Sequence, residues 1–409
     1  MNSEKLWNKS YLLLMLAQVL TSFSFYMVVT ILVSYLTSDA VGISTSAAGV
    51  VAGLFSVTAL FCRPFCGVLS DKVNKLALIR TAVILMGVGT LGYGLSDSLA
   101  VIIFFRILNG AGFAVNSTAL IALVTQYIPR NRMGEGIGYF GLANVIASAA
   151  GPGLGAALAE WIGTDRVFYL SAAICLFELI LLFMVSFDEE HGREKKQGKR
   201  LQLEDIIAVP VLGYTVTASA FSLVNGVISA YLVAYGEALG IGGISLYYTA
   251  NAITLFLVRP MSGKLMDRKG AAIVVMPGIL ITALSMLFLE AAGSFREAVL
   301  GMILLSAVLR GIGQGAAHPA LQTVCLRKAG KEKSGSATST FYLGGDIGQG
   351  MGPMLAGAMI GAFSSALDGY RAVFRMSAWL LVGAFVLFAV LWKKEKTDEE
   401  RTELYVEKG

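Results

Sequence analysis

Apolar residues run along this chain in long blocks, broken by short stretches that carry the charges, most of the prolines and many glycines. A bilayer core needs roughly 20 apolar residues per helix. The blocks predict twelve transmembrane helices, at about 10–36, 45–69, 76–96, 98–126, 133–160, 164–186, 206–236, 241–266, 271–293, 295–327, 334–363 and 370–392. Several exceed the minimum length, which tilt or helical ends projecting into water would absorb. The one long charged interior run, 187–205, separates six helices from six and reads as a solvated linker, in part an amphipathic surface helix.

The polar breaks repeat. Arg63, Pro64, Gly67, Leu69 and Asp71 recur in the same spacing as Arg259, Pro260, Gly263, Leu265 and Asp267. Tyr35-Leu36 and Tyr231-Leu232 share that offset, and Gly151-Pro152 and Gly352-Pro353 lie close to it. The features keep one order in both halves, so the repeat is parallel, with a bundle in 1–186, the linker at 187–205, a second bundle in 206–392 and a tail at 393–409. An interrupted hydrophobic chain with repeating halves is the pattern of a secondary transporter, whose site lies between the repeats near the midplane.

Composition excludes a soluble fold. The chain is 56% hydrophobic and 14% charged, against about 25% charged in soluble domains. Its net charge of +5 is not gathered into a nucleic-acid patch; it sits in loops and tails and reports orientation. With the amino end inside, 24 Lys and Arg fall on the cytoplasmic side and three in outer loops, so both termini are expected in the cytoplasm. The first apolar run is too long for a signal peptide. Cys62, Cys66, Cys175 and Cys325 suggest neither a disulfide frame nor a metal site.

The stretch Gly67, Leu69, Asp71, Lys72, Lys75 follows G-x-L-x-D-(K/R)-x-x-(K/R) and resembles the signature of the major facilitator superfamily between helices two and three. Asn74 stands where that pattern prefers glycine; Gly270 keeps a glycine near this point in the second copy. The resemblance covers essentially the whole chain. It implies an all-α integral membrane protein, with twelve transmembrane helices in two pseudo-symmetric six-helix bundles. It also implies that Asp71 faces the start of helix eleven, Ser334-Gly335-Ser336, as a gate, with Gly67, Lys72, Gly263, Asp267 and Arg268 completing the paired devices. Gly138, Ala147, Gly151, Pro152 and Gly155 in helix five resemble the antiporter motif of the drug:proton antiporter group, with alanine at two glycine places. Physically this is a close-packing and bending element. Gly348, Gly352 and Pro353 form a comparable seam in helix eleven.

Ionisable and amide side chains inside the predicted spans are the site candidates, since such groups face a cavity or a neighbouring helix rather than lipid. Helix four carries Arg106, Asn109, Asn116 and Ser117 within about 100° of one another; its R-x-x-x-G-x-G resembles a motif tied to proton transfer, and a hydrogen-bond anchor is the plainer reading. Helix ten carries Arg310, Gln314 and His318, with Pro319 positioned to kink it. Asp346 lies near midplane in helix eleven, a proton- or cation-coupling acid or half of a buried pair. Glu178 in helix six is the second mid-membrane acid. Gln18, Tyr26, Asn225 and Asn251 are further cavity candidates, and Arg375 at the outer end of helix twelve is expected to snorkel.

Gly87-Val88-Gly89-Thr90-Leu91-Gly92 matches G-x-G-x-x-G inside a predicted membrane helix, without the strand–turn–helix setting that dinucleotide binding needs. No P-loop or nucleophile elbow is present, so no enzyme activity, cofactor or metal is implied. The expected partners are a small-molecule substrate, protons as coupling ion and the lipid bilayer; no nucleic acid is expected, and a monomer is. The leading reading is proton-coupled efflux of small amphipathic organic molecules by alternating access, from a bacterial plasma membrane. A proton-coupled uptake symporter or a uniporter for a sugar, organic anion or peptide stays open, and a membrane sensor or integral enzyme is the remotest alternative.

Overall fold

The computed structural model describes residues 6–43, 45–185, 207–241, 244–295 and 298–407, and the linker expected at 187–205 lies outside them. Among the described residues there are twelve α-helices: α1 (Lys9–Thr37), α2 (Thr45–Lys72), α3 (Lys75–Leu95), α4 (Leu99–Tyr127), α5 (Met133–Ile162), α6 (Thr164–Phe183), α7 (Leu212–Ala238), α8 (Ser245–Lys269), α9 (Ala272–Ala292), α10 (Val299–Ala329), α11 (Ser334–Gly361) and α12 (Ala366–Glu407). Ten are long and apolar enough to cross a membrane. The other two, α8 and α11, reach 25 and 28 residues. They are less apolar because α8 ends in Lys264, Asp267, Arg268 and Lys269 and α11 is rich in Ser, Thr and Gly.

Local chemistry sets several boundaries. Asn8 caps α1 by accepting the Tyr11 amide at 2.9 Å. Asn74, the departure from the family pattern, caps α3: its Oδ1 accepts the Ala77 amide at 2.8 Å, and α3 begins at once after a tight break. The second copy solves the same turn with Gly270, which ends α8 at φ +89°, a conformation that favours glycine. The last helix continues to Glu407 instead of stopping near 392. Residues 393–407 are rich in Lys and Glu and contain neither Gly nor Pro, so nothing local ends the helix.

The chain divides into two compact units, Met1–Val209 with Leu326–Leu343, and Pro210–Cys325 with Gly344–Gly409. The first ten residues of α11 thus cluster with the first unit. In that unit α3 packs on α4 and α6, and α1 on α5 and α6, around buried Tyr11, Tyr93, Phe140 and Phe168. In the second unit α12 packs on α9 and α7, around buried Tyr214, Tyr235, Phe374 and Phe388. Large apolar side chains also lie exposed, among them Phe61, Phe104, Leu176 and Phe183 in the first unit and Trp379 and Val390 in the second. In water such a surface would aggregate; against lipid it costs nothing. Arg375 is not simply directed to the interface: its Nε donates to Glu290 Oε1 at 2.7 Å, giving α12 an ion pair with α9.

Candidate functional site

The end of α2 meets the beginning of α11. The first amides of a helix have no acceptor within it, and the aligned peptide dipoles leave that end partly positive. Here Asp71 supplies the acceptors. Its Oδ1 takes the Gly335 amide at 2.7 Å, and its Oδ2 takes the Ser336 amide at 2.8 Å and the Ser336 hydroxyl at 2.6 Å. Two glycines allow the approach. A Cβ at Gly67 would lie 2.6 Å from Ser339 Cβ and 2.9 Å from Ser336 Cα, and one at Gly335 would lie 2.7 Å from Asp71 Oδ1. One turn and more before Gly67, Arg63 donates to Ser117 Oγ at 2.8 Å, stands 4.6 Å from the centre of the Tyr342 ring, and offers its carbonyl to the Ser339 hydroxyl. Gln126 and Lys331 exchange side-chain-to-backbone bonds at 3.1 and 3.2 Å. Lys72 is exposed beside this seat. In the second copy of the motif Gly263 is buried, Asp267 half-buried and Arg268 exposed.

Inside the first unit the polar residues of α4 turn inward. Arg106 is 2% exposed. Its Nε and Nη2 donate to the Ala52 carbonyl at 3.3 and 2.8 Å, and it lies 4.8 Å from the Phe55 ring centre. Its Nη1 has no hydrogen-bond partner. Asn109 donates to the Met86 carbonyl and to Thr90 Oγ1, both at 3.0 Å. Arg106, Asn109, Thr90 and Ser24 line a small internal cavity. Farther along α4, Asn116 Nδ2 donates to Thr21 Oγ1 at 2.9 Å, and that hydroxyl donates to Glu178 Oε1 at 2.6 Å. The structure thus joins Asn116 of α4 to Glu178 of α6 through a threonine of α1.

A second cluster forms in the other unit. Arg310, 3% exposed, donates to Asn225 Oδ1 at 2.6 Å and to Asn251 Oδ1 at 3.3 Å. Asn225 passes the chain on to Gln349 Oε1 at 2.8 Å, and Asn251 anchors to the Ala307 carbonyl at 3.1 Å. Gln314 is half-buried one turn beyond Arg310. His318, a further turn on, sets its ring edge-on to Phe221, 6.4 Å away. Asp346 is half-buried on α11, three residues before Gln349.

The small-residue motifs pack the two units in corresponding ways. Gly151 and Gly155 of α5 lie against Tyr26 and Met27 of α1, where added Cβ atoms would stand 2.7 and 2.9 Å from Tyr26 Cβ and the Met27 backbone. Gly348 and Gly352 of α11 lie against Ser219 and Leu223 of α7. Pro152 and Pro353 sit inside these helices, and the Pro353 carbonyl accepts Tyr231 OH at 3.0 Å. Tyr26 OH also reaches Asn144 at 3.3 Å. Gln18 bonds along its own helix, to Ser22 at 3.0 Å.

The family model described as Major Facilitator Superfamily matches residues 14–353 and 212–407. The chain belongs to the major facilitator superfamily. It is therefore a multi-pass membrane protein of a transporter family, with twelve helices in two six-helix bundles. Among curated proteins it is similar to the "Multidrug resistance protein MdtG" of Salmonella arizonae, at 29% identity over 92% of this chain and 93% of that protein. The protein of that name from Enterobacter lignolyticus is 30% identical over 92% of this chain and 90% of that protein. Among solved structures, the transporter FucP in the outward conformation superposes with a TM-score of 0.77 at 15% identity, covering 95% of this chain and 99% of that chain. The human organic anion transporter MFSD10 gives 0.73 at 16%, covering 92% and 98%. At such identities these two speak for the superfamily fold.

Two features of these clusters, the part played by Thr21 and the partners of Arg63, are not legible in the sequence. Thr21 is one hydroxyl in an apolar helix, and only its place in the row Gln18, Thr21, Ser24 hints at a polar face. Arg63 opens the repeated motif, yet its partners Ser117 and Tyr342 lie 54 and 279 positions away and no local pattern names them.

Proposed function

We propose that this superfamily member is a secondary active exporter of small amphipathic organic molecules, driven by exchange against protons across a bacterial plasma membrane, with both termini in the cytoplasm. One observation carries the reading: three ionisable groups deep in membrane-spanning helices, Arg106, Glu178 and Arg310, are bonded only to neutral partners. A buried charge without a counter-charge costs several kcal/mol. A protein that needed these residues for stability alone would do better with apolar ones. Groups held uncompensated are available to a proton or a charged substrate. The relatives named multidrug resistance proteins support export. The seat of Asp71 on α11 supports alternating access, since a carboxylate on a helix N-terminus can release and re-form as helices move. The halves 1–186 and 206–392 are the moving bodies, and Asp346 and Glu178 are the candidate acids for the exchange.

Arg310 favours a second reading on substrate charge. A guanidinium held by two asparagines suits an organic anion, in export or in uptake. Everted membrane vesicles test both readings. Two permanently charged lipophilic probes, tetraphenylphosphonium and tetraphenylborate, are offered to vesicles with an acid lumen and a clamped membrane potential, and accumulation is counted over that of vesicles lacking the protein. Proton-driven export predicts accumulation of at least one probe and its loss when the gradient is collapsed. Selective accumulation of tetraphenylborate would assign the anionic class. Accumulation that ignores the gradient would end the exchange reading.

A further inference from the structure

No part of Glu178 is exposed. Thr21 donates to its Oε1, while its Oε2 has no hydrogen-bond partner. Asn116 donates its amide nitrogen to the same Thr21 hydroxyl, and its Oδ1 also has no donor. The cluster therefore holds two unsatisfied acceptors and is one hydrogen short. A carboxylate supplies none and adds a charge. A carboxylic acid turns Oε2 into a donor for an acceptor such as Asn116 Oδ1.

Among the described residues, no cationic side chain is bonded to this cluster. Helix α1 contributes Thr21 and Ser24, and α4 contributes Asn116. The nearest titratable group on α6 itself is Cys175, one turn back, whose sulfur lies 3.6 Å from Ser24 Oγ. Arg80 of α3 is engaged a turn beyond Glu178, donating to the Leu182 carbonyl at 2.9 Å with its guanidinium 4.3 Å from the Phe183 ring centre. Glu135 of α5 is engaged with Arg132 at the start of its own helix, at 2.7 Å. On the other side of Ser24 lies the cavity bordered by Thr90, Asn109 and Arg106. Ser24 follows Thr21 by three positions, so this polar cavity begins about one helical turn from the Glu178 cluster.

We propose that Glu178 is the proton-exchange site of this transporter: its Oε2 carries the exchanged proton in the present packing, and the cavity behind Ser24 is the route by which it leaves. The inference rests on the exchange reading above and deepens it. In the step itself the O–H bond of Glu178 breaks heterolytically, the electron pair stays on Oε2, and the proton passes to water entering from the cavity. The resulting carboxylate has too few donors in this packing. Proton loss therefore favours a conformation in which α1, α4 and α6 have separated enough to hydrate it, and proton state and helix packing become linked.

Infrared spectroscopy of the full-length protein in lipid tests the resting state without any ligand. Wild type at neutral pH should show a carboxylic-acid carbonyl band that disappears in Glu178→Gln, whose amide keeps the Thr21 bond and supplies a donor in place of the acid hydrogen. If the band is identical in the two proteins, the proposal is overturned. The exchange step is read as proton release into weak buffer when tetraphenylphosphonium or tetraphenylborate is added; neither probe can carry a proton itself. Release of about one proton per bound probe by wild type, reduced at least tenfold in Glu178→Gln and restored with a displaced pH profile in Glu178→Asp, supports the assignment. Release that persists in Glu178→Gln overturns it while leaving proton exchange standing. An absence of release from wild type, together with no gradient-driven accumulation in vesicles, ends the exchange reading and the role of Glu178 with it.

Discussion

Replacing Asp71 with asparagine removes the charge at the α2–α11 seat while keeping the size of the side chain. The amides of Gly335 and Ser336 are the right reporters, because they lie ahead of the first intrahelical bond of α11, from the Ala337 amide to the Lys333 carbonyl, and their acceptor is Asp71. The asparagine oxygen can still accept from Gly335. Its amide nitrogen would then face the Ser336 amide, donor against donor, while the Ser336 hydroxyl can turn to accept. One backbone bond is lost, the remaining ones lose their charge assistance, and the interaction with the helix dipole disappears. With a charged hydrogen bond worth about 1.5–3 kcal/mol and the dipole about 0.5 kcal/mol at a half-exposed site, the change comes to about 2.5 kcal/mol. At 1.4 kcal/mol per factor of ten, that is roughly a sixty-fold rise in opening of the seat. Hydrogen exchange followed by mass spectrometry on peptides spanning 334–337 should show that acceleration in Asp71→Asn and a larger one in Asp71→Ala. Peptides from α9 should exchange as in wild type. Unchanged protection of Gly335 and Ser336 in both variants would refute the argument that Asp71 holds the start of α11.

Other contacts give equally direct expectations. Gly67→Val places a branched side chain where even a methyl group would meet Ser339 and the Ser336 backbone; a cost of about 1–3 kcal/mol should lower the thermal midpoint in detergent by more than Gly67→Ala does. Tyr11→Phe removes a buried hydroxyl that donates to the Gly136 carbonyl at 2.7 Å; that carbonyl, inside α5, keeps its helical partner, so a loss of about 1 kcal/mol should appear as a lower unfolding midpoint, and an unchanged midpoint would deny the bond its weight. Arg310→Lys cannot bridge Asn225 and Asn251 with a single ammonium; binding of tetraphenylborate, measured by equilibrium dialysis, should weaken about tenfold with tetraphenylphosphonium unaffected if Arg310 meets an anionic substrate, and equal effects on both probes would exclude that role.

Much of the architecture could be read before any coordinates, because a bilayer imposes a one-dimensional requirement: each crossing needs an apolar run of a set length. The starts of α2, α5, α6 and α11 fall at Thr45, Met133, Thr164 and Ser334, where the apolar blocks place them. The repeat carried the symmetry, and Gly151 and Gly352 lie against α1 and α7. The end of α12 escaped this reasoning, since a polar helix continuing into water leaves no apolar signal to follow. Asn74 looked like a defect in a motif until its side chain was seen to cap α3.

The side-chain partnerships inside the bundles are a different matter. Periodicity puts Arg106, Asn109 and Asn116 on one broad face of α4 but does not say which neighbouring helix that face meets. Packing decided that Arg106 reaches the backbone of α2, Asn109 that of α3, and Asn116 a threonine of α1. Glu178 and Thr21, 157 positions apart, became partners only through that arrangement. Where the chain crosses the membrane, and that it does so twice over in the same pattern, follows from segments alone, because length and hydropathy are properties of a segment. Which buried polar groups find donors and which do not emerges from the packed bundle, because it depends on the rotation of each helix about its axis and on neighbours far away along the chain.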